Sequence, residues 1–397
     1  MRVLFTAGPF FGHVNTLLPL ALAAARSGHE VRFATGADFA GHVSERGLTC
    51  WEVGPTADEA GMPTSLAFFR HTGQQRAANL LTFTDRWRPD LVISEELEFG
   101  GVVAAARNAT PLLVHGLGID AAGDDEAFAS EVNRLGATLG LPHLLDVYRT
   151  STRLSVCPPS LRPSRLRDRE LMSVRPALGE PAPGERLPTA LANLPYETSI
   201  HLTLGTVFHQ RRPGLLAEAI AGLRELAANI IVTVGPGVDP ASFGPQPPNV
   251  VIERYLPHAL VLPHCMLVVS QGGAGIVLGA LAHGLPQLVM PQGADQFDNG
   301  AAVQKAGVGL VIDSTEQSSP AITNAVERLL REPGFAVAAR AVRDEIQAMP
   351  TPSDVIGSVT GSGRSPVRSA IVPTSAGDPI ERERLRVTEA ARRSVQQ

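Results

Sequence analysis

Short apolar runs alternate with amphipathic stretches from the start of the chain. Arg2–Ala7 reads as a buried strand, Gly8–Gly12 as a Gly/Pro loop, and Val14–Ser27 as an amphipathic helix. Gly28 stops that helix before a second strand, Glu30–Ala34. Pro89–Ser94 and Gly101–Ala106 repeat the strand and helix. The pattern restarts at Ile200–Leu204, followed by Gly205-Thr206 and a helical segment over Leu215–Ala228. Further strands are expected at Ile230–Val234, Val250–Glu253, Leu267–Ser270 and Gln287–Met290, with a helix over Ile276–Ala282. Such alternation implies parallel sheets with helices on both faces. The expected fold class is therefore α/β, with two doubly wound Rossmann-like domains facing each other across a cleft, the natural ligand site.

Between Pro176 and Pro195 the run PALGEPAPGERLPTALANLP is dense in proline and glycine and reads as a linker. The expected organisation is a first domain over 1–178, a linker over 179–198 and a second domain over 199–345. A terminal helix over 346–358 is expected to pack back on the first domain. Residues 359–397 are rich in Ser, Pro and Arg, and Glu381–Arg393 has little apolar stripe to bury, so a disordered or loosely attached tail is expected.

Composition narrows the function classes. A chain of 397 residues exceeds one ordinary core, and 44% hydrophobic with 18% charged residues describes a globular protein. A net charge of -5 gives no pull toward nucleic acid or an anionic membrane. Cys50, Cys157 and Cys265 form no CxxC pair and no disulfide framework, so a cytoplasmic location is expected. The start, MRVLFTAGPFFGH, makes a poor signal peptide, and no apolar run approaches the length of a membrane span.

The most informative stretch is Ser270–Asn299, SQGGAGIVLGALAHGLPQLVMPQGADQFDN. Its glycines fall at a strand-to-helix turn. There the amides of Gly273, Ala274 and Gly275 can point out of a helix N-terminus toward an anion. The hexamer is neither GxGxxG nor a P-loop. The next strand ends in a polar loop carrying Gln292, Asp295, Gln296, Asp298 and Asn299, which opens on the same sheet edge. Anion-binding backbone beside carboxylates and amides suits a diphosphate joined to a polyol, that is, a nucleotide-sugar. Asp298 and Asn299 read equally as helix caps.

A second set of chemistry-bearing residues lies in the first half. His13 follows Gly12 at the first strand-to-helix loop and faces the expected cleft; it reads either as a helix-capping residue or as a general base. Glu95, at the end of the strand Leu91–Ser94, opens on the same edge and could orient the ring, with Glu96 and Glu98 as neighbouring alternatives. There is no DxD triplet and no His/Cys/Asp cluster with metal spacing. Asp124-Asp125-Glu126 reads as a solvated loop.

RYLPH, SQGGAG and PQGADQFDN, at these spacings from Arg254 to Asn299, resemble the donor-binding signature of family-1-type glycosyltransferases of the GT-B fold. The resemblance is closest to bacterial enzymes that glycosylate natural products with dTDP-deoxysugars, such as calicheamicin and macrolide glycosyltransferases. It spans about 1–356, including LFTAGPFFGHVNTLLPLA and RPDLVISEELEFGG. It implies that Tyr255 stacks on the nucleobase while the backbone after it, at Leu256, reads the base edge. Gly273, Ala274 and Gly275 would cradle the diphosphate, with Thr206 as a hydroxyl facing it. Asp295 and Gln296 would hold sugar hydroxyls. His13 would be the base and Glu95 its acidic partner. Relatives commonly carry His where this chain has Gln271, whose neutral amide could still donate to a phosphate, or could only pin the loop.

The implied reaction is inverting, metal-independent transfer from a dTDP-sugar, a substrate and not a cofactor, to a hydroxyl of a hydrophobic natural product in antibiotic biosynthesis. Departing charge would be met by amides and a helix N-terminus. The acceptor side would be built by Met62–Leu81 and Ala121–Tyr148, with His115, Phe68 and Phe69 as candidates, although helix packing explains these residues as well. Rival readings are a non-catalytic GT-B-like auxiliary or binding protein, a C- or N-glycosyltransferase, and a nucleotide-sugar epimerase or hydrolase. Assembly as a homodimer is left open.

Overall fold

A computed structural model of the chain describes residues 1–361 apart from 57–65, 120–125, 167–169, 179–180, 206–211, 213 and 236. The first sheet comprises β1 (Arg2–Thr6), β2 (Glu30–Thr35), β3 (Thr49–Glu52), β4 (Leu91–Glu95), β5 (Leu112–His115), β6 (Thr152–Ser155) and β7 (Leu171–Ser173). Their order is β3-β2-β1-β4-β5-β6-β7, with every neighbouring pair parallel. The second sheet comprises β8 (Ser199–Thr203), β9 (Asn229–Thr233), β10 (Val250–Glu253), β11 (Leu267–Ser270), β12 (Gln287–Val289) and β13 (Gly309–Val311). It is also parallel, in the order β10-β9-β8-β11-β12-β13. Every residue of β4, β8, β9 and β11 is buried, because helices cover both faces.

Around the first sheet lie α1 (Phe11–Arg26), α2 (Ala40–Ser44), α3 (Leu66–Trp87), α4 (Phe99–Asn108), α5 (Glu126–Thr138) and α6 (Leu144–Thr150). The second carries α7 (Leu215–Leu223), α8 (His258–Val261), α9 (Ala274–Ala282), α10 (Gln296–Lys305), α11 (Ser319–Arg331) and α12 (Pro333–Ala348), and α13 (Pro352–Thr360) follows. Helix α9, AGIVLGALA, is apolar all round and buries Ile276 through Leu281.

Helix α13 returns to the first domain. Its Val355, Ile356 and Val359 join the core formed by Leu17, Ala21 and Ala24 of α1. Burial of each large side chain there contributes about 1.5–3 kcal/mol relative to exposure. Thr351 and Asp354 form a capping box that starts α13. The single terminal helix expected over 346–358 is in fact two helices. Pro350 and Pro352 cannot continue α12, so the chain breaks at Met349 and restarts. The Arg175 backbone N–H donates to Pro350 O at 2.7 Å, tying this second crossing to the first.

Helix α7 stops at Leu223, short of the expected Ala228. The Asn249 side-chain amide donates to the carbonyls of Arg224 (3.0 Å) and Ala228 (2.9 Å), taking acceptors that a longer helix would use. Thr206, Asp124, Asp125 and the tail beyond Gly361 lie outside the described residues, while Glu126 opens α5. None of the described helices is long and apolar enough to cross a membrane.

Candidate active site

In each sheet the strand order reverses between two central neighbours, β1 and β4 in the first and β8 and β11 in the second. Loops leaving such a switch point diverge and open a crevice at the carboxyl edge. Here the two crevices face each other and share a cavity of about 860 Å³. It is lined by His13, Glu96 and His115 from one domain and by Gly205, Gln271, Gly273 and Asp295 from the other.

His13 is the third residue of α1, which follows β1, and Glu95 ends β4 beside it. His13 Nδ1 lies 2.8 Å from Glu95 Oε1. The buried Glu95 carboxylate also accepts backbone N–H bonds from Gly8 (3.2 Å) and Leu97 (2.7 Å), which fix its orientation. The Phe69 ring stacks on the imidazole at 5.2 Å between centroids, and Phe10 lies 5.3 Å away. With Nδ1–H donating to the carboxylate, Nε2 is left as an acceptor.

The neighbouring carboxylates have other partners. Glu96 Oε1 accepts from the Leu117 N–H at 2.9 Å. Glu98 Oε1 caps α4 through the Gly100 N–H at 2.8 Å, and Oε2 pairs with the buried Arg76 guanidinium. Burial pushes the Glu98 carboxyl up, with Arg76 pulling the other way. Arg76 in turn donates to Ala7 O (2.8 Å) and Val53 O (3.0 Å), bracing the loop that leads to His13.

His115 is paired in register with Glu95 across β4 and β5. It is buried, which lowers its pKa to about 4, and its Nδ1 has no hydrogen-bond partner among the described residues. Phe68 requires a correction: it is fully buried against Phe10 and Phe69 and does not line the cavity. Adjacent residues on a helix point about 100° apart, so when Phe69 faces His13 its neighbour faces the core.

The second domain supplies the glycine-rich edge expected to meet an anion. Gly272 has φ +88°, and a Cβ there would collide with Val289. Its N–H donates to Ser270 Oγ at 3.1 Å. Gly273 precedes α9 in extended conformation with no side chain capping the helix, and Gly273, Ala274 and Gly275 all border the cavity. Gln271 places its Nε2 over Gly205, between the two glycine turns, and its Oε1 is buried without a partner among the described residues.

Asn299 joins the two ends of the motif. Its Nδ2 donates to Gly272 O at 2.9 Å and to Asp295 Oδ2 at 2.8 Å. Solvent reaches Asp295 through the cleft, but protein crowding from both domains still raises its carboxyl pKa, with the Asn299 bond and His13 opposing. Gln296 Oε1 accepts from the Gln292 and Gly293 N–H groups at 2.8 and 3.1 Å, so only its amide nitrogen remains for a ligand. Ala294, between them, has φ +51°, a strained value for a non-glycine residue at the cavity wall. Tyr255 and Leu256 border the same cavity. Among the described residues no group of three or more His, Cys, Asp or Glu side chains could hold a metal ion.

Sequence reasoning missed the Asn299 tie, the Arg76 brace and the Phe69–His13 stack. The i,i+4 spacing of Asp295 and Asn299 at a helix start was the available signal for the first. The other two depend on α3, whose weak amphipathic pattern does not announce which face it buries.

Two parallel doubly wound domains joined across their switch points define the GT-B class of glycosyltransferases. The family described as Erythromycin biosynthesis protein CIII-like matches residues 61–174 with its N-terminal domain and 217–361 with its C-terminal domain. The chain belongs to this family and is a glycosyltransferase of the antibiotic-biosynthesis type. Elloramycin glycosyltransferase ElmGT of Streptomyces olivaceus is 34% identical over 95% of this chain and 100% of its own length. Spinosyn rhamnosyltransferase SpnG complexed with thymidine diphosphate superposes with a TM-score of 0.75 at 26% identity, covering 90% of this chain and 99% of its own. SpnG complexed with spinosyn aglycone gives a TM-score of 0.74 at the same identity and coverage.

Proposed function

We propose that this glycosyltransferase moves a deoxysugar from a dTDP-sugar to a hydroxyl of a hydrophobic natural-product acceptor, with inversion at the anomeric carbon. The observation that carries the reading is the His13 Nδ1–Glu95 Oε1 contact of 2.8 Å at a cleft whose opposite wall is a glycine-rich helix N-terminus. The known complexes of SpnG with thymidine diphosphate and with an aglycone support the two substrate classes.

In this mechanism the acceptor oxygen attacks the anomeric carbon as its proton passes to His13 Nε2. The carbon–oxygen bond to the β-phosphate breaks, and dTDP departs with the electron pair. Glu95 holds the ring and stabilises the imidazolium. Amides of Gly273, Ala274 and Gly275 meet the departing charge, assisted by the α9 dipole and the Gln271 amide. Thr206 is assigned to the diphosphate on the family pattern. Asp295 and the Gln296 amide nitrogen hold sugar hydroxyls, and Tyr255 with the Leu256 backbone takes the base. No metal or cofactor enters the scheme. Phe10, Phe69, Leu97 and Leu117 make the cavity wall beside His13 apolar, which favours a hydrophobic acceptor, with His115 neutral behind them.

The test is a panel of dTDP- and UDP-sugars incubated with polyketide acceptors, with products read by mass spectrometry and the anomeric configuration by NMR. An inverted O-glycoside formed from a dTDP-sugar supports the reading. A retained configuration, or transfer from UDP-sugars only, overturns it.

A further inference from the structure

We propose that Phe11, a residue of the acceptor domain, positions the donor nucleobase by backing one face of Tyr255. This rests on the reading of Tyr255 as the base-stacking residue. The two rings stack across the domain boundary, with centroids 6.0 Å apart and planes 27° from parallel. A base inserted between two rings needs roughly 7 Å, twice a contact distance of about 3.5 Å. The space between Phe11 and Tyr255 is therefore closed to it. Tyr255 remains 40% exposed and borders the cavity, and its open surface is assigned to the base.

Phe11 is itself held firmly. Phe39 meets it edge-on at 4.9 Å and His42 at 5.4 Å. His42 Nε2 lies 2.7 Å from Asn15 Oδ1, and its Nδ1 accepts from Arg46 Nη1 at 3.2 Å. Burial and the adjacent Arg46 charge lower the His42 pKa to about 4, so the ring stays neutral in this arrangement. Arg46 reaches on to Glu185, 3.7 Å away on the segment between the domains. A second close approach lies at Gly118, where an added Cβ would come within 2.6 Å of Ala274 Cβ in the opposite domain.

Phe11 opens α1 two residues before His13. The wall of the base pocket and the catalytic histidine thus share one helical turn. A nucleobase that tightens the Tyr255 stack also seats that turn against the donor domain.

The test is calorimetric binding of thymidine diphosphate to the full chain and to Phe11→Leu, Phe11→Tyr, Tyr255→Leu and the Phe11→Leu/Tyr255→Leu double variant. Phe11→Leu keeps apolar bulk and loses the ring; it should weaken binding about 2- to 12-fold, the range expected for one aromatic pair. Phe11→Tyr should restore it. The double variant should bind no more weakly than Tyr255→Leu, because Phe11 acts through that ring. In turnover, Phe11→Leu should raise donor KM more than it lowers kcat. Unchanged or tighter binding by Phe11→Leu, or fully additive losses in the double variant, overturns the proposal while base stacking stands. Unchanged binding by Tyr255→Leu, or none by the parent chain, removes the base-stacking reading and the proposal with it.

Discussion

Asn299 Nδ2 sits 2.9 Å from the carbonyl oxygen of Gly272 and 2.8 Å from Asp295 Oδ2, joining the glycine turn to the polar loop across 27 residues of sequence. One buried amide therefore fixes the distance between the glycine turn proposed to hold the diphosphate and the proposed sugar-binding carboxylate. Asn299→Ala leaves a buried carbonyl and a carboxylate without their donor. The expected cost is about 1–3 kcal/mol of stability. Donor KM should rise several-fold, because Asp295 is released; unfolding in urea and initial rates at varied donor concentration measure the two effects. Wild-type values in both would remove Asn299 from the account.

Gln271 stands where the family resemblance implies a His. Its amide nitrogen lies between Gly205 and Gly273, where the proposed diphosphate site would receive its N–H. A neutral donor of this kind is worth about 1 kcal/mol, so Gln271→Ala should weaken thymidine diphosphate binding by roughly fivefold. Gln271→His should tighten it, most clearly below pH 6.5, where the introduced imidazole gains charge. Titration calorimetry at pH 6 and pH 8 checks both, and equal affinities for all three proteins would assign Gln271 to loop packing alone.

Four histidines should make the fold acid-sensitive. Burial is the leading cause that lowers the pKa of His42, His115 and His258 to about 4 and that of His201 to about 3, against 6.5 when unfolded. The unfolded chain therefore binds more protons than the folded one below pH 6.5. Stability from these groups is complete above that value and is lost as pH falls toward 4. Urea midpoints measured between pH 8 and pH 5 should be level at the alkaline end and drop below 6.5. A midpoint that rises on acidification would contradict the burial of these rings.

Much of this architecture could be read from the chain because its physics is local. Parallel strands covered on both faces appear as unbroken apolar runs, such as Leu267–Ser270, and glycine-rich turns mark their carboxyl ends. The approach of His13 to Glu95 follows from that edge geometry, since β1 and β4 are neighbours in register, with Thr6 opposite Ser94. What could not be read depends on side-chain direction or on contacts between distant segments. Phe68 and Phe69 are identical in type, yet the step of about 100° between adjacent helical residues sends one into the core and the other onto His13. The Glu98–Arg76 pair and the Phe11–Tyr255 stack join positions 22 and 244 residues apart, and no periodicity encodes either. The break between α12 and α13 was signalled by Pro350 and Pro352, but a helix continuing to 358 was expected there.

The central claim is that His13, held by Glu95, takes the proton of the acceptor hydroxyl, while a separate domain binds the donor. The most direct measurement pairs the single-turnover rate of sugar transfer by His13→Ala with its affinity for thymidine diphosphate. The account predicts a rate about 10²–10⁴-fold below the parent enzyme with affinity within about twofold. Transfer at a near-normal rate, with nucleotide affinity intact, would contradict it.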